Sequence, residues 1–222
     1  MKRTLAVLFA STAMIASPAA AKNSGGAWTP EPGDVIEFDV LRKGKPFGSH
    51  SVTFGEDSNG RLTARTDVLL KAGLGPITVF KYELDATEVW QNGQLVSLNG
   101  EVNDDGKEGQ VTATRAGNEL DVDGTQFDGR VTASIIPSSH WNFAATKATE
   151  LLSTEDGEIL DVSVSEQGKE VIVAAGEEVE AARYLLDSDI DVTLWYDEAG
   201  RWLKLAFEAR GQDIEYVLTK PY

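Results

Sequence analysis

The sequence predicts an all-β fold, a large antiparallel sheet that curves on itself or closes into an open or complete barrel, built of consecutive hairpins. Two observations carry this reading: alternating apolar and polar runs separated by short turn signals along most of the chain, and a C-terminal meander whose faces sort cleanly. At most one short helix is expected, near 143–152, the only run of helical composition.

Strand character begins at Val35-Ile-Glu-Phe-Asp-Val40, with Ile36, Phe38 and Val40 on one face. Lys43-Gly-Lys-Pro-Phe-Gly48 turns the chain and His50-Ser-Val-Thr-Phe54 returns it. Asp57-Ser-Asn-Gly60 is a hairpin signal before Arg61–Leu70, where Leu62, Ala64, Thr66, Val68 and Leu70 alternate with polar residues. A loop follows at Ala72–Pro76, then a long strand over 77–90 with Phe80, Tyr82, Leu84 and Ala86 on one side. Asn92-Gly93 should pair Trp90 with Leu95 and Val89 with Val96.

Strands near 95–102, 108–115 and 119–123 are thin in large apolar residues and read as the exposed flank of a curved sheet. Val131–Ile136 is expected as a strand and Pro137–Asn142 as a turn. Further strands over 158–166, 169–174 and 178–187 have Gln167-Gly168 and Gly176-Glu177 as their turns.

The C-terminal stretch, from Ile190 to Phe207, reads as two strands around Asp197–Gly200. Pairing Tyr196 with Arg201 sets Leu194 against Leu203, Val192 against Leu205 and Ile190 against Phe207 on an apolar face. It sets Trp195 opposite Trp202 on the other face. A second turn at Arg210-Gly211 pairs Ala209 with Gln212, Phe207 with Ile214 and Leu205 with Tyr216.

The N-terminus has the form of a secretory leader: Lys2-Arg3, an uncharged apolar run from Leu5 to Ile15, and a small-residue cleavage site ending near Ala21. The expected organisation is a signal peptide over 1–21, a flexible lead-in over 22–33 and a single β domain over 34–222. This places the mature protein in a bacterial periplasm, with no transmembrane anchor after cleavage. The absence of cysteine excludes disulfides, thiolate metal sites and a cysteine nucleophile. The formal charge of −16 falls to about −18 without Lys2 and Arg3, a surface that repels nucleic acid and anionic head groups.

Chemistry is sparse. His50 and His140 are the two histidines, without metal-ligand spacing, so no metal or other cofactor is expected. Ser138-Ser-His-Trp-Asn142 is the most unusual polar cluster, but adjacent residues do not face one another as a serine–histidine pair must, and no G-x-S-x-G elbow is present. No phosphate loop or dinucleotide fingerprint occurs. No catalytic residue is assigned. The candidate ligand-binding residues are His50, Ser139, His140, Trp141 and Asn142, with Tyr82, Trp90, Trp195, Tyr196 and Trp202 as aromatic contacts.

At Ser139-His-Trp-Asn142 and Leu194-Trp-Tyr-Asp-Glu-Ala-Gly-Arg-Trp-Leu203 the chain resembles a family of exported bacterial proteins of unknown function. Gly44-Lys-Pro-Phe-Gly48 and Ile214-Glu-Tyr-Val-Leu218 extend the likeness. That family is distantly similar to another uncharacterised periplasmic group, and the resemblance implies a curved or barrel-like β-fold in the cell envelope. Export, continuous apolar strand faces and the lack of a catalytic motif together suggest a binding or carrier protein for a hydrophobic small molecule or lipid. The alternative is an envelope interaction protein using an outer face such as Trp195/Trp202, and a hydrolase using His140 comes third.

Overall fold

The computed structural model describes residues 28–74 and 77–220, so the expected leader lies outside the described residues. Alternation in the sequence becomes a sheet of thirteen strands. The first half of the chain supplies β1 (Val35–Arg42), β2 (Lys45–Glu56), β3 (Leu62–Leu74), β4 (Ile77–Gln91), β5 (Gln94–Asp104), β6 (Lys107–Ala116), β7 (Glu119–Gly124) and β8 (Asp128–Thr132). A crossing segment holds β9 (Ile136–Pro137), a 3-10 turn (Phe143–Lys147), β10 (Glu150–Leu152) and β11 (Ile159–Asp161). The C-terminal meander is β12 (Ser163–Ala174), β13 (Glu177–Asp187), β14 (Val192–Tyr196), β15 (Trp202–Ala209) and β16 (Gln212–Leu218).

Within each meander sequence-adjacent strands pair antiparallel, and the two meanders join where β16 pairs antiparallel with β1 (Phe38↔Leu218, Val40↔Tyr216), while β9–β11 form a small separate sheet. Between the bulges the pairings keep the two-residue period, so inward side chains form rows running across the strands. One row is Leu194, Leu205, Tyr216, Val40, Gly48, Leu70 and Tyr82. The next holds Phe38, His50, Val68, Leu84 and Val102. Further along the lumen, Phe54, Ala64, Glu88, Leu98 and Ala113 share a row. These rows form one hydrophobic core with Trp90, Trp141, Tyr196 and Trp202.

The segment between β8 and β12 crosses the concave face, and its backbone lies against β5–β7. A Cβ on Gly100 would collide with Thr154 O, and one on Gly124 with Asp156 O. The expectation of an exposed flank is therefore corrected: Leu98, Val111, Ala113, Leu120 and Val122 are buried. Small residues stand there because another backbone approaches closely.

Several local expectations are also corrected. Residues 131–136 do not make one strand, since β8 ends at Thr132 and β9 starts at Ile136. Gln167-Gly168 is a bulge inside β12, with Glu166↔Tyr184 and Lys169↔Ala182 on either side, and not a turn. Trp90↔Leu95 forms, but Val89 pairs with Ser97 across a bulge instead of with Val96.

The largest correction concerns the C-terminal hairpin. Asp197 accepts hydrogen bonds from the Ala199 N–H (3.0 Å), the Arg201 N–H (2.8 Å) and Arg201 Nε (2.6 Å). This organises a five-residue loop, and Tyr196 pairs with Trp202. A bulge at Leu203 then shifts the ladder again, giving Trp195↔Lys204, Leu194↔Leu205 and Val192↔Phe207. Trp202 consequently points inward and is fully buried, while Trp195 lies on the opposite face of the sheet, where it too is largely covered (8% exposed). The expected Trp195–Trp202 pair does not exist. The Ala209↔Gln212, Phe207↔Ile214 and Leu205↔Tyr216 pairs do.

Candidate functional site

Two regions of the lumen combine chemistry with accessibility or strain: a buried polar seam at its centre and an incompletely covered apolar mouth at one end. The seam begins with His50, placed inward by the alternation of β2 and 6% exposed. Its ring is edge-on to Trp202 (5.3 Å between centroids) and packs near Tyr216 (5.4 Å) and Phe38 (6.2 Å). Neither ring nitrogen has a hydrogen-bond partner among the described residues.

His140 approaches from the crossing segment, with its ring centroid 5.9 Å from that of Trp202. It sits in the left-handed region (φ 63°), bracketed by the Trp141 N–H to Ser139 C=O hydrogen bond (2.9 Å). That is a tight γ-turn of the strained kind. The Tyr196 hydroxyl steadies it by donating to the His140 carbonyl at 2.8 Å. Burial pushes the His50 imidazole down to about 3, with the neighbouring His140 adding to the effect, and burial pushes His140 down to about 4. Both rings are neutral near pH 7, each offering one donor and one acceptor.

Deeper in the lumen, Glu88 is buried on β4. Its Oε2 accepts from Trp90 Nε1 (2.7 Å) and Trp141 Nε1 (3.1 Å). Burial pushes the carboxyl up to about 7, against the opposing pull of Ser139 and the two indoles. Ser139 Oγ comes close enough to lower the Glu88 pKa but falls short of hydrogen-bond geometry, so Oγ and Glu88 Oε1 both lack a partner among the described residues, as does Thr66 Oγ1. Among the described residues Ser139 Oγ, His140 Nδ1 and both His50 nitrogens are without a hydrogen-bond partner, so Ser139 is not paired with a histidine base.

The mouth lies at the end carrying the β1–β2, β3–β4 and β15–β16 turns. Inward residues there are only partly covered: Phe47, Phe80, Tyr82, Val192 and Phe207 pack on the core without being enclosed by it. Phe47 and Phe80 stack at 5.7 Å. Arg42 lies over Phe47 at 5.1 Å, and Arg210 lies 5.9 Å from the Phe80 ring. Arg210 also pairs with Asp104 at 3.1 Å, so a side chain from the β15–β16 turn spans the opening to β5. Beneath them the Tyr82 hydroxyl donates to Glu155 Oε1 at 2.8 Å, and burial raises the Glu155 carboxyl.

The sequence-derived candidates thus separate. His50, His140, Tyr196 and Trp202 converge; Ser139, Trp141 and Trp90 gather at Glu88; Tyr82 stands at the mouth. Asn142 caps the 3-10 turn through Oδ1 to the Ala144 N–H (3.0 Å). Trp195 is on the outer face, donating to Glu170 Oε1 (2.7 Å) with Lys204 Nζ 5.1 Å from its ring centroid. Residues that sequence reasoning missed are Glu88, Thr66, Phe47, Phe80, Glu155, Phe207 and Tyr216. Glu88 had a signal, being a charge within the inward series from Phe80 to Trp90.

Outside the lumen, a concavity of about 880 Å³ is lined by Asp67, Glu83, Asp85, Glu101 and Gln110 among others. It is acidic and open, unlike a site for an apolar ligand. Among the described residues no group of three or more His, Asp or Glu is placed to hold a metal ion, and no helix is long and apolar enough to cross a membrane.

These features define an all-β, barrel-like protein with a polar seam beneath an apolar mouth. The chain belongs to a family described as a domain of unknown function, DUF6134, whose model matches residues 38–219. It is similar in fold to a crystal structure of a β-barrel-like protein of another domain of unknown function, DUF1849, from Brucella abortus. The TM-score is 0.58 at 10% identity, covering 84% of this chain and 95% of that one. Among curated proteins none matches the chain.

Proposed function

We propose that this is a non-enzymatic binding or carrier protein of the bacterial periplasm that holds a hydrophobic, lipid-like ligand against the inner face of the curved sheet. The observation that carries the reading is the mouth. Phe47, Phe80, Tyr82, Val192 and Phe207 point inward yet remain partly uncovered, and they continue into the buried wall of Leu70, Leu84 and Tyr216. An acyl chain laid along that strip covers apolar surface that the protein leaves wet, worth about 25 cal/mol per Å². Tyr82 and Glu155 lie below it for a polar head, and Arg210 crosses the entrance through an exposed ion pair weak enough to open.

The interaction-protein alternative requires a Trp195–Trp202 outer face. With Trp202 in the core, Trp195 remains there alone beneath Lys204.

The reading is tested by titrating the mature protein with an environment-sensitive fatty acid probe. Saturable binding is expected. Phe80→Ala should weaken it roughly tenfold, the loss of about 1.5 kcal/mol of side-chain burial, and Trp195→Ala should leave it unchanged. Absence of saturable binding, or equal effects of the two variants, would refute the proposal.

A further inference from the structure

Beneath the mouth lies a layer of polar side chains that contains no lysine or arginine. Tyr82 and Tyr216 share one inward row, and His50 stands in the next, its ring centroid 5.4 Å from that of Tyr216. Glu155 enters from the crossing segment and accepts the Tyr82 hydroxyl at 2.8 Å. One row deeper is Thr66, whose Oγ1, like both nitrogens of His50, has no hydrogen-bond partner among the described residues. The layer is reached from the mouth, because Tyr82 and Glu155 are partly exposed and Tyr216 keeps 7% of its surface. Among the described residues no lysine or arginine is buried, and Arg42 and Arg210 stop at the rim, over Phe47 and Phe80.

The layer's own acid and base report how it treats charge. Burial raises the Glu155 carboxyl, the Tyr82 hydrogen bond opposes that rise, and Asp156 and Asp104 add to it more than Lys107 offsets. Burial pushes His50 the other way, down to about 3, and His140 adds to the effect. Negative and positive charge are both disfavoured here. What remains is hydrogen bonding, since a neutral imidazole offers one donor and one acceptor and a threonine hydroxyl serves as either. A buried polar group without a partner is costly, so His50 and Thr66 gain when an occupant supplies one.

We propose that the ligand enters head first and that its head is uncharged and hydrogen-bonding, a hydroxyl or glycerol ester received between Tyr82, Glu155 and His50, with the acyl chain lying back along Phe80 and Phe207. This rests on the lipid-binding reading above and names the class of lipid. A carboxylate or phosphate head would meet Glu155 with no buried cation beside it, and burying an unpaired charge costs far more than burying a hydroxyl that finds partners. An ammonium head would have only Glu155, already engaged by Tyr82, to set against the burial that keeps His50 unprotonated. Fatty acids still bind, but as the protonated acid.

The test is displacement of an environment-sensitive fatty acid probe from the mature protein by three ligands of one chain length: dodecanoic acid, dodecylamine and glyceryl monododecanoate, each below its micelle concentration. At about pH 7 the acid must first take up a proton, so it should bind on the order of a hundredfold more weakly than the ester, and the amine, which must lose one, on the order of a thousandfold. Lowering the pH to about 6 should narrow the gap between acid and ester roughly tenfold. Any change in the protein or the probe cancels in that ratio. His50→Leu, which removes both nitrogens, should weaken the ester about fivefold, the loss of one hydrogen bond. The wild-type comparison stands without the variant. The proposal is overturned if acid or amine displaces the probe as well as the ester does at neutral pH, or if the acid-to-ester ratio stays level as pH falls. An ester that fails to displace a bound probe overturns it too, while lipid binding itself stands. A probe that never binds removes the lipid-binding reading and this proposal together.

Discussion

Acidification should loosen the fold through His50, and the size of the effect follows from where that ring sits. Folded, the imidazole stays neutral down to about 3; in the unfolded chain it takes its proton near the ordinary histidine value of 6.5. A depressed base contributes stability that is complete above the unfolded pKa and is lost as pH falls toward the folded one. Each pH unit inside that window costs about 1.4 kcal/mol. Between neutrality and about pH 4.5 the loss from His50 alone is roughly 3 kcal/mol, a large share of the 5–15 kcal/mol that holds a typical domain together. Glu88 acts with the opposite sign: its folded pKa is raised, so its contribution is present below 4.5 and is lost as pH rises through about 7. Comparing wild type with His50→Leu, a change suited to the ring's contacts with Phe38, Trp202 and Tyr216, cancels Glu88, His140 and the surface carboxylates. Urea midpoints at the two pH values should show the gap between the two proteins moving by roughly 3 kcal/mol. Parallel pH profiles would refute the reasoning. So would a His50 carbon resonance titrating near 6.5 in the folded wild type, a readout that does not need the variant.

Three further outcomes follow from packing. Gly100→Ala drives a methyl into Thr154 O and should lower stability by more than the 1–3 kcal/mol of ordinary overpacking, read as a fall in Tm. Trp202→Ala should cost about 3–5 kcal/mol in urea denaturation, more than Trp195→Ala, because Trp202 is fully enclosed in the lumen whereas Trp195, itself only 8% exposed, packs on the opposite face of the sheet beneath Lys204. Glu88→Gln keeps an acceptor for the two indoles but removes the buried charge, so it should be the more stable protein above about pH 7, with the advantage vanishing near pH 4.5.

How far the sequence reaches is clearest at the C-terminal hairpin. Alternation identifies which residues share a face, and Leu194, Leu205 and Tyr216 do line the lumen. A slip of two residues preserves both faces, so alternation cannot detect it. The slip arises in two single steps, a loop lengthened by Asp197 and a bulge at Leu203, and between the two steps Trp202 turns inward. The thin strands were misleading for a related reason: glycines at 100 and 124 make room for a backbone some thirty to fifty residues away, which no local pattern reveals. His50 was legible as a polar residue in an inward series, and Glu88 could have been read the same way. The mouth was not legible. It depends on β16 joining β1 and on the crossing segment filling one part of the lumen more than the other, both long-range arrangements.

The claim that the lumen holds a lipid-like ligand is tested most directly by native mass spectrometry of mature protein released gently from the periplasm without detergent. A bound hydrophobic species, seen as added mass and removed by organic solvent, is the predicted result. The contradicting result is a clean mass for the chain alone in protein that also fails to take up a fatty acid probe.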